Sequence, residues 1–328
     1  MIITRSPLRI TLGGGGTDVP FFYKRHGGNF ISASINKHVY VSINQINEKK
    51  FILRYSKLEN VSNIKEIQHP IIREVLKYFK ITPGVEITSF ADIKSGTGLG
   101  SSGAFTVALI QAVSIYKNSK KLSKKELSKI ASYIEIDVLK EPVGLQDPHA
   151  SSYGSIQYFK ISKSGLVKNY DIYNGNTGLK NFVKDLYLIN TKKRRDASKE
   201  LSRTIFNHDS KKEIFNNLLK SKESGIEAYK LLTDKKKVIN FGNKLIEQWR
   251  IKHERSPSKF HSEINNIINE LTNLGCTGSK LIGAGGGGYI LIHCPKNHFK
   301  KVKSYLNKNE LNLFNFEIDT EGTTYFEL

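Results

Sequence analysis

The chain has 328 residues, 38% of them hydrophobic and 10% aromatic, enough apolar material to bury a sizeable core over two fused domains. No stretch reaches the roughly 18 consecutive apolar residues that a membrane helix needs, and the opening MIITRSPLRITL lacks the charged-then-apolar pattern of a secretion signal. With 51 basic against 30 acidic residues the formal net charge is +21, but the lysines are spread along the chain; they are expected to form a solvated surface that attracts anionic small molecules, not a nucleic-acid site.

The first ~90 residues read mostly as strands, with β-rich runs at LRITLGG, NFISASI, VYVSINQI and FILRY. A helix is predicted over 70–79, where Ile71, Ile72, Val75, Leu76 and Phe79 share a face, and a strand over 84–90. An apolar helix at 101–116 starts directly after a glycine-rich loop, and a second at 123–139 turns Leu127, Ile130, Ala131, Ile134 and Val138 inward. SIQYFKI and LVKNYDIY read as strands, and the turn-rich Asn174-Gly175-Asn176-Thr177-Gly178 marks a boundary between a domain at 1–175 and another at 176–328. The second half opens on the strand DLYLINT, runs through helices over 195–274, and reaches a strand pair, SKLIGA and GGYILIHC, around a glycine run. A helix near 297–307 and a strand near 313–319 follow. Strands and helices alternate irregularly, so the expected class is α+β, two domains meeting at a cleft. Cys276 and Cys294 are the only cysteines and have no metal-ligand spacing, which makes a reducing cytoplasm the expected compartment.

The strongest chemical signal is Lys94-Ser95-Gly96-Thr97-Gly98-Leu99-Gly100-Ser101-Ser102 running into the apolar helix. Alternate glycines allow tight turns and close approach of backbone N–H groups to a ligand. The following helix start adds unpaired N–H groups and the positive end of its dipole, so the segment suits a di- or triphosphate. A serine-capped tight turn is the plainer alternative. No Gly-Lys-Ser/Thr follows at Walker spacing. Neither this loop nor the glycine run at 283–288 opens the strand-helix alternation of a dinucleotide-binding fold.

Three ordered segments, PLRITLGGGGTD, KSGTGLGSSG and KLIGAGGGGYILI, resemble the three motifs of the GHMP kinase family, which includes galactokinase and the homoserine, mevalonate and phosphomevalonate kinases. EPVGLQDPHASSYGS, TKKRRDASKEL and the stretch from WRIKHERSPSKF to the third motif look most like the subgroup acting on D-glycero-D-manno-heptose 7-phosphate. Pro148 and His149 stand where that subgroup more often has Gln and Tyr, and Gly103 where many relatives carry Ala or a small hydroxyl residue. The resemblance implies an N-terminal domain like domain 2 of ribosomal protein S5, a ferredoxin-like C-terminal domain, and Mg·ATP bound between them. It also implies a small sugar or sugar-phosphate acceptor, no nucleic-acid or membrane partner, and a monomer or homodimer.

Residue by residue, the resemblance implies that Lys94, Gly96, Thr97, Gly98, Leu99, Gly100, Ser101 and Ser102 hold the nucleotide, and that Ser102 and Glu135 hold Mg²⁺. Asp147 is expected to accept or orient the proton of the attacking hydroxyl, with Arg9 steadying it or the transferred group. Asp18, with Gly15, Gly16 and Thr17, is expected at the sugar hydroxyls, and Gly285, Gly286 and Gly287 beside the sugar or the transferring phosphate. Arg195, with Lys193 or Arg194, is the candidate for an acceptor phosphate, because guanidinium binds phosphate bidentately. Read without the resemblance, Glu135 is a surface helix residue, Asp147 a turn former, Asp18 a helix cap, Arg9 a strand-surface cation and Arg195 part of a solvated turn. Trp249 is expected in the core, and His149 is given no role.

Overall fold

The computed structural model describes residues 1–192, 211–255, 261–283 and 287–327. The first half is built on β1 (Ile2–Gly13), α1 (Pro20–His26), β2 (Gly28–Gln45), β3 (Phe51–Arg54), β4 (Leu58–Val61), α2 (Pro70–Tyr78) and β5 (Val85–Ala91). It continues through α3 (Ser101–Asn118), α4 (Lys124–Ser132), α5 (Gln146–Tyr153), β6 (Ile156–Ile161) and β7 (Val167–Asp171). The second half holds α6 (Thr177–Val183), β8 (Leu186–Asn190), α7 (Lys211–Thr233), α8 (Phe241–Arg255), α9 (His261–Asn273), β9 (Gly278–Leu281), β10 (Tyr289–His293), α10 (Lys296–Lys308), β11 (Asn312–Phe314) and β12 (Thr324–Glu327).

The long β2 organises the first sheet. It pairs with β1 along most of its length, with β6 through residues 28–33 and with β5 through residues 39–45. Sequence patterning suggests two strands here because the alternation breaks at Asn36-Lys37. The structure keeps one strand and absorbs the break as a register shift opposite Pro7 and Leu8, a β-bulge. The order β12-β1-β2-β5-β3-β4 is antiparallel except for the parallel β3–β5 pair. A second, four-stranded antiparallel sheet has the order β11-β8-β10-β9. One buried cluster runs across both halves, joining Leu8, Ile10 and Leu12 of β1 to Ala228 and Leu232 of α7, Leu245 of α8 and Leu291 of β10.

Three local features differ from the sequence expectation. The helix expected over 123–139 ends as α4 at Ser132, and a π-helical turn at Tyr133–Val138 follows. Asp147, expected in a loop, lies in the first turn of α5. The chain also returns to the first sheet after β11, where β12 pairs with β1 from Ile2↔Glu327 to Arg5↔Thr324. That return is fastened by His38 Nε2 to Asp319 Oδ2 at 2.8 Å and by the hydroxyls of Ser6 and Thr323 at 2.8 Å.

Helix α8 lies so close to β9 that a methyl group added to Gly278 would stand 2.6 Å from the Gly242 Cα, and one added to Gly242 would run into the Thr277 carbonyl. Alanine normally stabilises a helix relative to glycine by about 1 kcal/mol, whereas forcing a methyl into filled space costs about 1–3 kcal/mol. Gly242→Ala is therefore expected to lower the thermal unfolding midpoint; a rise would show that the backbones have room to part.

Candidate active site

A cavity of about 870 Å³ opens between the halves and is lined by Arg9, Asp18, the glycine-rich loop, Glu135 and Asp147 from the first half, and by Lys252, Arg255, Lys280 and Gly283 from the second. Its floor is the loop before α3. Gly96, Gly98 and Gly100 all have positive φ, 77°, 82° and 76°, so every second residue reverses the chain in a way that L side chains resist. The loop's carbonyls are engaged: Lys94 accepts from Thr97 Oγ1 at 3.1 Å, Gly98 from Arg9 Nη1 at 2.5 Å, and Leu99 from the Arg9 N–H at 2.9 Å. The N–H groups of residues 96–102 make no hydrogen bond to other described residues, and no side chain caps α3. That leaves a turn of free donors at the positive end of an 18-residue helix, an anion cradle.

The loop is held from two directions. A methyl group on Gly98 would lie 2.9 Å from the Gly283 Cα, so the second and third glycine motifs touch backbone to backbone. On the other flank a methyl on Gly103 would stand 2.5 Å from the Asp147 Cβ. A glycine at 103, where relatives often carry a larger residue, is what lets α5 sit this close to the start of α3.

Arg9 and Asp147 form the central pair. Arg9 Nε donates to Asp147 Oδ1 at 2.7 Å and Nη2 lies 2.6 Å from the same oxygen. The Arg9 side chain is only 8% exposed, whereas that of Asp147 is 31% exposed and faces the cavity. Asp18 lies beside them, buried, with Oδ1 accepting from the Gly16 N–H at 3.1 Å and Oδ2 from the Gln146 N–H at 3.0 Å. It does not cap α1, whose N-cap is Val19. Burial pushes the Asp18 carboxyl above its ordinary range, and the neighbouring Asp147 charge adds to this. Thr17 is buried under the loop, its hydroxyl 2.6 Å from the Asn29 carbonyl, and does not line the cavity.

Glu135 lies on the π-helical turn, a form of helix found often at functional sites. It is 4% exposed, not on the surface. Its Oε1 accepts from Thr106 Oγ1 at 2.6 Å, and that hydroxyl also reaches the Ser102 carbonyl at 3.1 Å, so Glu135 sits against the first turn of α3 beside Ser102. Burial, with the charges of Asp147 and Glu141, pushes its carboxyl up to about 7. The cavity is also lined by Tyr55, His69, Ile71 and Phe90, a largely aromatic group.

On the second-half wall stand three cations that sequence reasoning did not single out. Lys252 Nζ donates to the carbonyls of Leu281, at 3.1 Å, and Gly283, Lys280 Nζ to Gln248 Oε1 at 2.6 Å, and Arg255 Nη1 to Asn217 Oδ1 and Ser221 Oγ at 3.1 and 2.9 Å. The signal was present: Gln248, Lys252 and Arg255 stand at i, i+4 and i+7 on one face of α8. Arg195, Lys193, Arg194, Gly285 and Gly286 lie outside the described residues; Gly287 is buried with φ 123° and does not line the cavity. Trp249 is a core residue whose Nε1 donates to Asn265 Oδ1 at 2.8 Å, and His149 is buried against Phe159, its Nδ1 2.8 Å from the Leu145 carbonyl.

Residues 65–155 match the family model "GHMP kinases N terminal domain" and residues 232–311 the model "GHMP kinases C terminal". The chain is 24% identical to D-glycero-alpha-D-manno-heptose 7-phosphate kinase of Campylobacter jejuni over 98% of this chain and 97% of that one. It is 25% identical to mevalonate kinase of Methanocaldococcus jannaschii over 88% and 93%. Among solved structures, a D-glycero-D-manno-heptose 1-phosphate kinase from Bacteroides thetaiotaomicron superposes with a TM-score of 0.80 at 21% identity, covering 100% of this chain and 99% of that one. With both domain models matched in order along the chain, it belongs to the GHMP kinase family and is an α+β phosphotransferase with an alcohol group as acceptor.

Proposed function

We propose that this enzyme transfers the γ-phosphoryl group of ATP, with Mg²⁺, to the anomeric hydroxyl of D-glycero-D-manno-heptose 7-phosphate, giving the 1,7-bisphosphate, a precursor of nucleotide-activated heptose for surface glycans. The observation that carries the reading is the placement of Asp147: its carboxylate is exposed to the cavity beside the phosphate cradle, while Arg9 holds it from behind. A hydroxyl lying between Asp147 and the cradle gives its proton to the carboxylate as it attacks phosphorus, and Arg9 holds that carboxylate in line and offsets its charge. The free N–H groups of 96–102 take the donor's phosphates, and the aromatic group of Tyr55, His69 and Phe90 takes its base. Asp18, fixed by two backbone amides, leaves its remaining acceptor capacity for sugar hydroxyls.

Glu135 fits a metal. It is a buried carboxylate with no cation partner among the described residues, and such a group calls for one. Ser102 Oγ and the Glu135 carboxylate would supply the hard oxygen ligands Mg²⁺ prefers, and the ion when bound neutralises charge on the transferring phosphate. The heptose assignment draws on the Campylobacter relative, matched over nearly its whole length. ADP release measured over hexoses, heptoses and their phosphates tests it directly: a preference for free galactose or fucose would replace heptose 7-phosphate as the acceptor.

Asp147→Asn is expected to retain binding of a non-hydrolysable ATP analogue and to lower kcat by roughly 10²–10⁴-fold; wild-type turnover would remove Asp147 from the chemistry. Glu135→Gln is expected to raise the Mg²⁺ concentration for half-maximal rate, with an unchanged titration counting against a ligand role. The same variant carries a pH signature. Because burial raises the Glu135 pKa above its unfolded value, its contribution to stability is present at low pH and is lost as pH rises through about 7. The metal-free wild type should therefore lose thermal stability relative to Glu135→Gln between about pH 5 and 8, measured by unfolding in EDTA.

A further inference from the structure

Three cations, Lys252, Arg255 and Lys280, line the cavity on its second-half wall. Burial pushes Lys280 down to about 7, with the charges of Arg255 and Arg9 adding to it, and takes Lys252 well below its usual value; burial also takes Arg255 to about 10, against the pull of the Asp18 carboxylate. None forms an ion pair with a carboxylate of the described residues. Clustered positive charge of this kind costs stability unless something anionic joins it. Lys252 is committed to the Leu281 and Gly283 carbonyls and so pins the third glycine motif. Arg255 and Lys280 are freer. Arg255 uses Nη1 on Asn217 and Ser221, and its Nη2 lies against the first motif, where a methyl on Gly16 would be 3.1 Å from it. Gln248, whose Oε1 accepts from Lys280, is only 7% exposed, and its Nε2 has no partner among the described residues although the residue lines the cavity beside Gly13. A buried amide donor left without an acceptor calls for one, and an anion bound beside it is one way to supply it.

Arg255 faces Gly16 and Asp18, Gln248 stands beside Gly13, and Lys280 joins them through Gln248 Oε1; they come from α8 and β9, whereas the phosphate cradle lies before α3. We infer that Arg255, Lys280 and the Gln248 amide form a subsite for a phosphate monoester carried by the acceptor itself. A dianion matches two cations and a neutral donor, and guanidinium offers it paired N–H groups. The inference rests on the proposed sugar-phosphate acceptor and adds the residues that select it.

The test compares kcat/KM for D-glycero-D-manno-heptose 7-phosphate, unphosphorylated D-glycero-D-manno-heptose and mevalonate, in wild type and in Arg255→Gln and Lys280→Met. In the wild type the 7-phosphate should be preferred. In each variant the ratio of 7-phosphate to free heptose should fall by about 10²-fold, the scale for removing one partner of a buried charged contact. The two variants remove different groups, and binding of an ATP analogue reports whether each is folded. Equal losses on both sugars would overturn the subsite while leaving the sugar-phosphate reading in place. A wild type that prefers the free heptose would overturn that reading itself, and one that prefers mevalonate would assign the cations to a carboxylate.

Discussion

The ion pair between Arg9 and Asp147 ties together three parts of the chain that are far apart in sequence. Through one guanidinium, β1 reaches the first turn of α5 and, at 2.5 Å, the carbonyl of Gly98 in the phosphate cradle. The Arg9 backbone repeats the link by donating to Leu99. A carboxylate so placed is already oriented before any ligand arrives, and the loop beside it has its carbonyls turned away and its N–H groups left over. Preorganisation of this sort is what phosphoryl transfer asks of a protein, since the chemistry is mainly positioning and charge neutralisation.

Glycine sets the distances around that pair. Gly103 lets α5 approach α3, Gly98 lets the third motif reach the loop, and Gly144 leaves room for the Asp18 carboxylate. At each point a single methyl group would push apart elements whose side chains must meet across the cavity. The abundance of glycine in the three motifs therefore reflects close packing as well as backbone freedom at the loop itself.

Much of this was legible in the sequence because local rules operate there. Alternate glycines, the apolar run after them and the order of the motifs led to the cradle, and Asp147, Arg9, Asp18 and Glu135 all line one cavity. What escaped notice depends on three-dimensional neighbours. The Arg255–Lys280 cluster joins a helix to a strand about 25 positions later, and in an overall charge of +21 no count of lysines separates two cavity-lining cations from many solvated ones. The start of α5 at Gln146, which puts Asp147 in its first turn, was hidden by the flanking glycine and prolines, which read as a turn. The π-helical turn at Glu135 has no one-dimensional signature, since its apolar neighbours fit an ordinary helix equally well.

The pairing of β12 with β1 has a consequence for how the protein is made. Residues 2–5 emerge from the ribosome about 320 positions ahead of their partners at 324–327, so over that interval the outer edge of the first sheet stands open, with its backbone donors and acceptors unmatched. The nascent first half can collapse around β2, but its rim stays available to stray strands until residues 324–327 arrive and seal it.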